Sequence, residues 1–329
     1  MSRLTNNTGL SLFAQVFLAT DNYDHSEAGL SVTTLLKPVK QVILARRVPE
    51  SMQVSDVSDS IASGVGSAIH DGFERAWKSP NLSQVLQRIG TPARVAEKVR
   101  VNPSANDVAK GGIIPVYTEQ RASKIVQGVK VTGKFDFIGD GIVEDLKNTS
   151  AWKYMSGKDE DYIMQGSLYR WLNPEKVTKD FMNLTFNFTD WSRRESFTNP
   201  NYPPNRMLTK KLMLLPIAEA DAFANLKVSQ LIELADAPEE QMPLCSDKDL
   251  WRKADVWKYY KNPANATKPG ARSTKNFDNE REAQIKLFED GNVGVVVKKP
   301  GEVVACKYCP AFLGCKQKDG LIASGDLVV

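Results

Sequence analysis

Asp136, Asp145 and Lys147 lie in the stretch Gly133-Lys-Phe-Asp-Phe-Ile-Gly-Asp-Gly-Ile-Val-Glu-Asp-Leu-Lys147. The alternation of Phe135, Phe137 and Val143 with polar residues, and the β-branched Ile138 and Ile142, predict two strands. Asp140-Gly141 between them is a two-residue hairpin signal, because both turn positions need φ > 0. Centring the turn there sets Asp136 opposite Asp145, Lys134 opposite Lys147 and Phe135 opposite Leu146. Directly opposed side chains have Cβ atoms about 5 Å apart, where like charges destabilise the pair. A cation between the two aspartates removes that conflict, and oxygen ligands at this separation suit Mg²⁺ or Mn²⁺. Lys147 shares the face of Asp145 and can reach a water or a phosphate. In outline this is a metal-assisted phosphodiester site. The plain alternative is a solvated hairpin whose polar face carries a surface ion pair, a contact contributing about 0–1 kcal/mol.

Two helices are expected to bring further residues to the hairpin. Residues 55–78 carry capping residues Ser55, Asp56 and Ser58 and an apolar stripe of Ile61, Val65, Ile69, Phe73 and Trp77. His70, one of two histidines in the chain, falls at the edge of that stripe. It reads as a metal ligand or as a boundary histidine bonded to a carbonyl. Gly66, one turn earlier, would permit close approach by another element. Residues 158–172 read as a second helix, opened by Asp159, Glu160 and Asp161 in keeping with its dipole. Met164, Leu168 and Trp171 form its core stripe, and Gln165 and Tyr169 share one side. Glu119 ends a strand-like run from Ile113 and offers either a carboxylate for a second ion or water, or an exposed strand acid.

Asp136 followed by Asp145-Leu146-Lys147 resembles the signature of the PD-(D/E)XK nuclease superfamily. Gly66-Ser-Ala-Ile-His70 is similar to the Gly-x-x-x-His helix of its RecB-like branch, and Gln165-Gly-Ser-Leu-Tyr169 to that branch's Gln-x-x-x-Tyr motif. That branch includes the RecB and AddB recombination nucleases and CRISPR-associated RecB-like exonucleases. The resemblance runs from about Ser31 to Tyr169 and implies a restriction-endonuclease-like core. It implies that His70, Asp136, Asp145 and the Leu146 carbonyl hold Mg²⁺ or Mn²⁺. Asp136, Asp145, Lys147 and Glu119 would be the catalytic set, while Gln165 and Tyr169 would support the site and contact DNA. A cation there acidifies water and offsets phosphate charge, and Lys147 would polarise that water or stabilise the transition state. The implied activity is a DNA exonuclease of phage or bacterial recombination, repair or replication. Its partners would be DNA ends or single strands and a recombination protein such as a single-strand annealing protein or a helicase. A non-cleaving DNA-binding module, or a subunit active only in a larger complex, are the rival readings. No Walker-type Gly-x-x-x-x-Gly-Lys-Ser/Thr sequence occurs, which argues against an ATPase in this chain.

Four cysteines complete the inventory: Cys245, Cys306, Cys309 and Cys315. Cys306-x-x-Cys309 spacing lets two thiolates meet one centre, Cys315 closes from the next turn, and Cys245 supplies the fourth ligand from afar. Related nucleases close a [4Fe–4S] cluster with a lone cysteine plus a C-terminal trio, which this tail resembles. There the lone cysteine precedes the nuclease core, whereas Cys245 follows it, so a Cys₄ zinc site competes. Either would clamp the C-terminal segment onto the core. Sparse cysteine and the lack of a secretory signal argue against disulfides.

The remaining sequence frames these sites. At 329 residues and 42% hydrophobic content there is material for a nuclease domain and an appended region. The expected divisions are a polar, irregular arm over 1–28, a nuclease core over 29–237 and a Cys-bearing region over 238–329. The expected fold class is α/β, a mixed central β-sheet flanked by helices, followed by a C-terminal Cys-rich metal-binding region. Helices are predicted over 31–47, 80–89, 217–235 and 278–290. Strands are predicted over 94–101, 113–119, 124–138 (interrupted), 142–147, 179–190, 211–216 and 293–298. No apolar run reaches the roughly eighteen residues of a membrane span, and a cytoplasmic location is expected. A net charge of +4 is only mildly basic. Between Leu250 and Lys275, however, Arg252, Lys253, Lys258, Lys261, Lys268, Arg272 and Lys275 interleave with Trp251, Trp257, Tyr259 and Tyr260. That pattern suits phosphates and unpaired bases, or a solvated basic loop over buried aromatics. Arg193, Arg194 and Arg206 form a second basic candidate.

Overall fold

Two tight turns organise the centre of the protein. Gln127-Gly128 and Asp140-Gly141 all have positive φ, between 48° and 80°, the signature of type I′ hairpins. Only glycine fits at 141, where a Cβ would sit 2.1 Å from Thr178 Oγ1. In the computed structural model, which describes residues 3–20 and 29–329, the chain forms two compact units. One comprises residues 1–36 and 50–232, the other residues 37–49 and 233–329.

In the first unit, strand β1 (Arg3–Thr5) is followed by helix α1 (Leu12–Ala19), whose start is capped by the Ser11 hydroxyl. Residues 3–20 are therefore not the irregular polar arm expected of them; 21–28 lie outside the described residues. Leu12, Phe13, Val16 and Phe17 of α1 are exposed. Next come β2 (Leu30–Ser31) and α2 (Val32–Leu35). The helix expected over 31–47 stops there, because Pro38 disfavours helical backbone at Lys37 and starts a new helix, α3 (Val39–Arg47), which belongs to the second unit. Strand β3 (Val54–Asp56) pairs in parallel with β1, and α4 (Ile61–Trp77) and α5 (Leu82–Arg88) follow. The strand expected from residue 94 begins instead as helix α6 (Ala93–Ala96), with β4 (Val99–Val101) after it, then α7 (Ala105–Lys110).

The main sheet continues through β5 (Ile114–Val126), β6 (Val129–Gly139), β7 (Ile142–Thr149), β8 (Phe181–Phe188) and β9 (Met207–Met213), in the order β4-β5-β6-β7-β8-β9 with β2 also on β6. The expected interruption within 124–138 is the Gln127-Gly128 turn. The pairs β4–β5, β2–β6 and β7–β8 are parallel and β5–β6, β6–β7 and β8–β9 antiparallel. Helices α8 (Ala151–Met155), α9 (Glu160–Leu172), α10 (Arg193–Thr198) and α11 (Ile217–Glu233) fill the connections and flank the sheet. This is the mixed α/β architecture expected. Val131, Phe135, Ile138, Val143, Leu168, Trp171, Leu184 and Phe186 are buried between sheet and helices. Helix α9 is drawn against β6 at Gly133, where a Cβ would lie 2.7 Å from Leu172 and 3.2 Å from the Tyr169 ring.

The second unit sets β10 (Val256–Tyr260) between β11 (Lys275–Phe277) and β12 (Val295–Lys299), with helix α12 (Glu280–Glu289) against them. Tyr259 and Tyr260 are buried there, so of the interleaved aromatics only Trp251 is well exposed. A second small core of Leu250, Val303 and Leu327 packs on Cys245 and Cys306. Helix α13 (Lys316–Ala323) is fixed at its start by Glu239, whose buried carboxylate accepts from the Lys316 and Gln317 amides and pairs with Lys40, as suits a helix N-terminus.

Candidate active site

Strand β6 carries the site because its two edges are shared unequally. Strand β5 pairs along one edge from Val129 to Gly139. The other edge is divided: β2 takes Val131 and Thr132, and β7 takes only Phe137, Ile138 and Gly139. The hairpin register is the one the Asp140-Gly141 turn predicts, with Phe137 opposite Glu144. It does not extend to the expected pairs Asp136–Asp145, Phe135–Leu146 and Lys134–Lys147, while the other edge of β7 runs parallel to β8 from Val143 onward. Lys134 instead pairs with Glu119 at 2.8 Å.

Asp136 sits where both neighbours let go. On the β5 side the ladder holds at Thr118–Phe137 and Gln120–Phe135 but skips Glu119–Asp136. Glu119 has φ +51°, a left-handed conformation in mid-strand that costs about 1–3 kcal/mol for a residue with a side chain. On the β7 side the Leu146 amide donates to Asp136 Oδ2 at 3.0 Å, the carboxylate standing in for a ladder partner. Asp136 Oδ2 also lies 3.3 Å from His70 Nδ1. His70, Glu119 and Asp136 each place a ligand atom within 4.8 Å of the other two, the one such metal-compatible group among the described residues.

Helix α4 delivers His70 by the face carrying Trp77, seven residues on and so two turns along the same side. The Trp77 ring packs on Phe137 with centroids 4.6 Å apart. The predicted stripe is not a buried face: Ile61, Val65 and Phe73 are exposed. Nor does Gly66 admit a close neighbour; it is Gly64 that lies against Leu18 and Phe17 of the α1 helix.

Asp145 stands apart from the three-residue group. It is 4% exposed, its Oδ2 forms an ion pair with Lys147 Nζ at 2.7 Å, and its Oδ1 has no hydrogen-bond donor among the described residues. A buried carboxylate oxygen without a donor is costly, which is the condition a cation relieves. Leu146 meets the site through its amide.

Burial, and then the neighbouring Asp145 charge, push the Asp136 pKa up to about 8, against the pull of Lys147 and the Leu146 amide. For Lys147, burial works against the charged form, but the Asp145 and Asp136 carboxylates outweigh it and raise the pKa. Lys147 therefore keeps its proton at neutral pH. Its ammonium lies 5.8 Å from the centroid of the Tyr162 ring. Sequence reasoning missed Tyr162, although it is three residues before Gln165 and so shares its face of α9. Gln165 and Tyr169 are both buried, and Gln165 Nε2 donates to Tyr169 Oη at 2.9 Å. Their burial suits support of the site more than contact with a ligand.

In the second unit Cys245 comes into electrostatic range of Cys315 and Cys309, and Cys306 into range of the same two. All four are free and half-buried. Burial first, then Asp249 and the neighbouring thiols, push Cys245 up to about 12; burial likewise raises Cys306 and Cys309, the latter eased by the Ala311 amide. No three of the sulfurs lie within 4.8 Å of one another. Gln317 fixes the Cys245 backbone by a reciprocal pair of hydrogen bonds at 2.9 Å.

No family model matches this chain, and no curated protein does. A solved structure described as the crystal structure of SSO0001 aligns with 70% of this chain and 89% of its own, at 18% identity and a TM-score of 0.39. A likeness at that level carries no argument about this protein. No helix among the described residues is long and apolar enough to cross a membrane.

Proposed function

We propose that this protein is a metal-dependent deoxyribonuclease with a PD-(D/E)XK core of the RecB-like kind, hydrolysing phosphodiester bonds at DNA ends. The observation that carries the reading is the position of Asp136. It is released by both neighbouring strands and set between His70, Glu119 and the Leu146 amide, with the Asp145–Lys147 pair beside it. The donor set of one imidazole and two carboxylates, and the buried Asp145 Oδ1 that lacks a donor, fit a divalent cation of the Mg²⁺ or Mn²⁺ class. Held by His70, Glu119 and Asp136, with Asp145 within the same electrostatic field, such a cation would supply a more acidic water and charge against the phosphate oxygens.

The chain's own groups define the rest. Lys147, kept protonated by two carboxylates, is a donor to the phosphate and to the attacking water, not a base that removes a proton. Tyr162 supports that ammonium with its ring face. Gln165 and Tyr169 hold α9 in register against β6, keeping Tyr162 over the site. The four cysteines of the second unit would hold a [4Fe–4S] cluster. A Cys₄ zinc site is the alternative for the same four thiols. The natural partners are DNA ends or single strands and a recombination protein that supplies or receives them.

The test is digestion of end-labelled linear DNA and of a covalently closed circle by the purified protein, with Mn²⁺, with Mg²⁺ and with chelator. Loss of the linear substrate alone, only with cation, is the expected result. DNA binding without cleavage at any cation concentration would leave a binding module instead.

A further inference from the structure

An exposed tryptophan lies immediately beyond the strand that carries Asp145 and Lys147. Strand β7 ends at Thr149, and α8 begins two residues later, capped by the Ser150 hydroxyl. The helix is not free to turn. Ala151 is buried and its amide donates to Asp190 Oδ1 at 2.7 Å, and Tyr154 packs edge-on against Phe186 and Phe188. Trp152 is about 160° around the helix from Tyr154, so the same packing that holds Tyr154 inward points Trp152 outward, where it is 67% exposed. A large aromatic held rigidly in solvent gains nothing from the core.

Its neighbours are cationic. Lys153 Nζ lies 5.1 Å from the centroid of the Tyr162 ring, the ring that also lies under Lys147 at 5.8 Å, and it is steadied by the Lys158 carbonyl at 3.0 Å. One phenol ring thus lies beside both the ammonium of the active site and that of Lys153, the residue after Trp152. The Asp190 bond ties α8 to the turn that leads into α10, whose first residues Arg193 and Arg194 are both exposed, at the same end of the parallel β7–β8 pair. Ligands of open α/β sheets bind beyond the carboxyl ends of such strands.

We propose that Trp152 and Lys153 form a subsite for an unpaired nucleotide next to the phosphate at Lys147. The indole stacks on the base, and the Lys153 ammonium contacts a phosphate one or two steps along the strand. This rests on the nuclease reading and adds to it a preference for a single-stranded end. An exposed aromatic on the same short helix as a lysine suits a base and its phosphate, since base stacking accepts any sequence and Lys supplies the backbone charge. A protein-binding hot spot is the competing use of an exposed tryptophan.

The experiment is equilibrium binding in EDTA of labelled single-stranded oligonucleotides, intact or carrying one abasic spacer moved stepwise from the end. The proteins compared are wild type, Trp152→Ala, Trp152→Phe and Lys153→Gln. Expected is a loss of about tenfold in wild-type affinity when the spacer reaches one position, from the usual strength of base–aromatic stacking. Trp152→Ala binds the intact strand about tenfold more weakly and shows no spacer penalty, and Trp152→Phe retains most of both. Lys153→Gln lowers the salt slope by about one. A folded Trp152→Ala protein with unchanged affinity and an unchanged spacer penalty overturns the subsite, while cleavage by the wild type leaves the nuclease reading standing. A wild type that neither binds nor cuts DNA removes both.

Discussion

Replacing Asp136 by asparagine tests the electrostatics on which the site depends. Burial and Asp145 lift this carboxyl from 3.8 to about 8. Between those two values the cation-free folded protein holds a proton that the unfolded chain has lost. A raised carboxyl pKa makes that stability fully present below the unfolded value and removes it as pH rises through the folded one. The slope is at most about 1.4 kcal/mol per pH unit. Over the whole window the ceiling is roughly 5–6 kcal/mol, and screening of a carboxylate that is 24% exposed leaves about 2–3 kcal/mol. The assay is hydrogen exchange of the β6 and β7 amides from pH 5 to pH 8 in EDTA, corrected for intrinsic rates, which isolates the first unit where a global unfolding curve would mix both. Wild type should lose opening free energy as pH rises, Asp136→Asn should be flat, and Mn²⁺ should reverse the wild-type trend because it competes with the same proton. A slope that survives in Asp136→Asn, or wild-type stability that rises with pH in EDTA, would refute the reasoning.

Three further outcomes follow from named contacts. Gly133→Ala places a Cβ within 3.2 Å of Leu172, Val32 and Tyr169 and should destabilise the first unit by about 1–3 kcal/mol, read as lower protection of β6 amides. Glu119→Gly keeps the left-handed backbone without its side-chain strain. It should raise thermal stability while weakening Mn²⁺ binding by about tenfold or more in a calorimetric titration. Cys309→Ser should yield colourless, poorly soluble protein; normal absorbance, solubility and activity would dismiss a cluster that clamps the second unit.

Much of the site was legible because it is local. Asp140-Gly141 announces its own turn, and the turn fixes the register that brings Asp136 near Asp145. The 3.6-residue period located α4 and α9 and put Gln165 beside Tyr169. What was hidden depends on residues distant in sequence. Nothing within Gly133–Lys147 tells that the β6–β7 ladder will stop at Phe137–Glu144, or that Lys134 will turn to Glu119. Glutamate is not a residue that advertises φ > 0, so the break in β5 left no signal, and Gln127-Gly128 lacks the usual asparagine or aspartate. The α4 stripe was a sound helical period, but the face the sheet uses runs through His70 and Trp77 instead. The segment after Gly9 reads as irregular for a different reason: the apolar run Leu12 to Ala19 spans only eight residues between polar flanks, too short for a clear helical period.

The central claim is that Lys147 and the Asp136 group act together on a phosphodiester bond. The most direct measurement is the initial rate of Mn²⁺-dependent release of nucleotides from end-labelled DNA by wild type and by Lys147→Ala, at equal fold integrity. The account predicts a wild-type rate that vanishes with chelator and falls by about 10²–10³-fold or more in the variant, the usual loss when one donor to a developing charge is removed. A Lys147→Ala protein that cuts at the wild-type rate would contradict it.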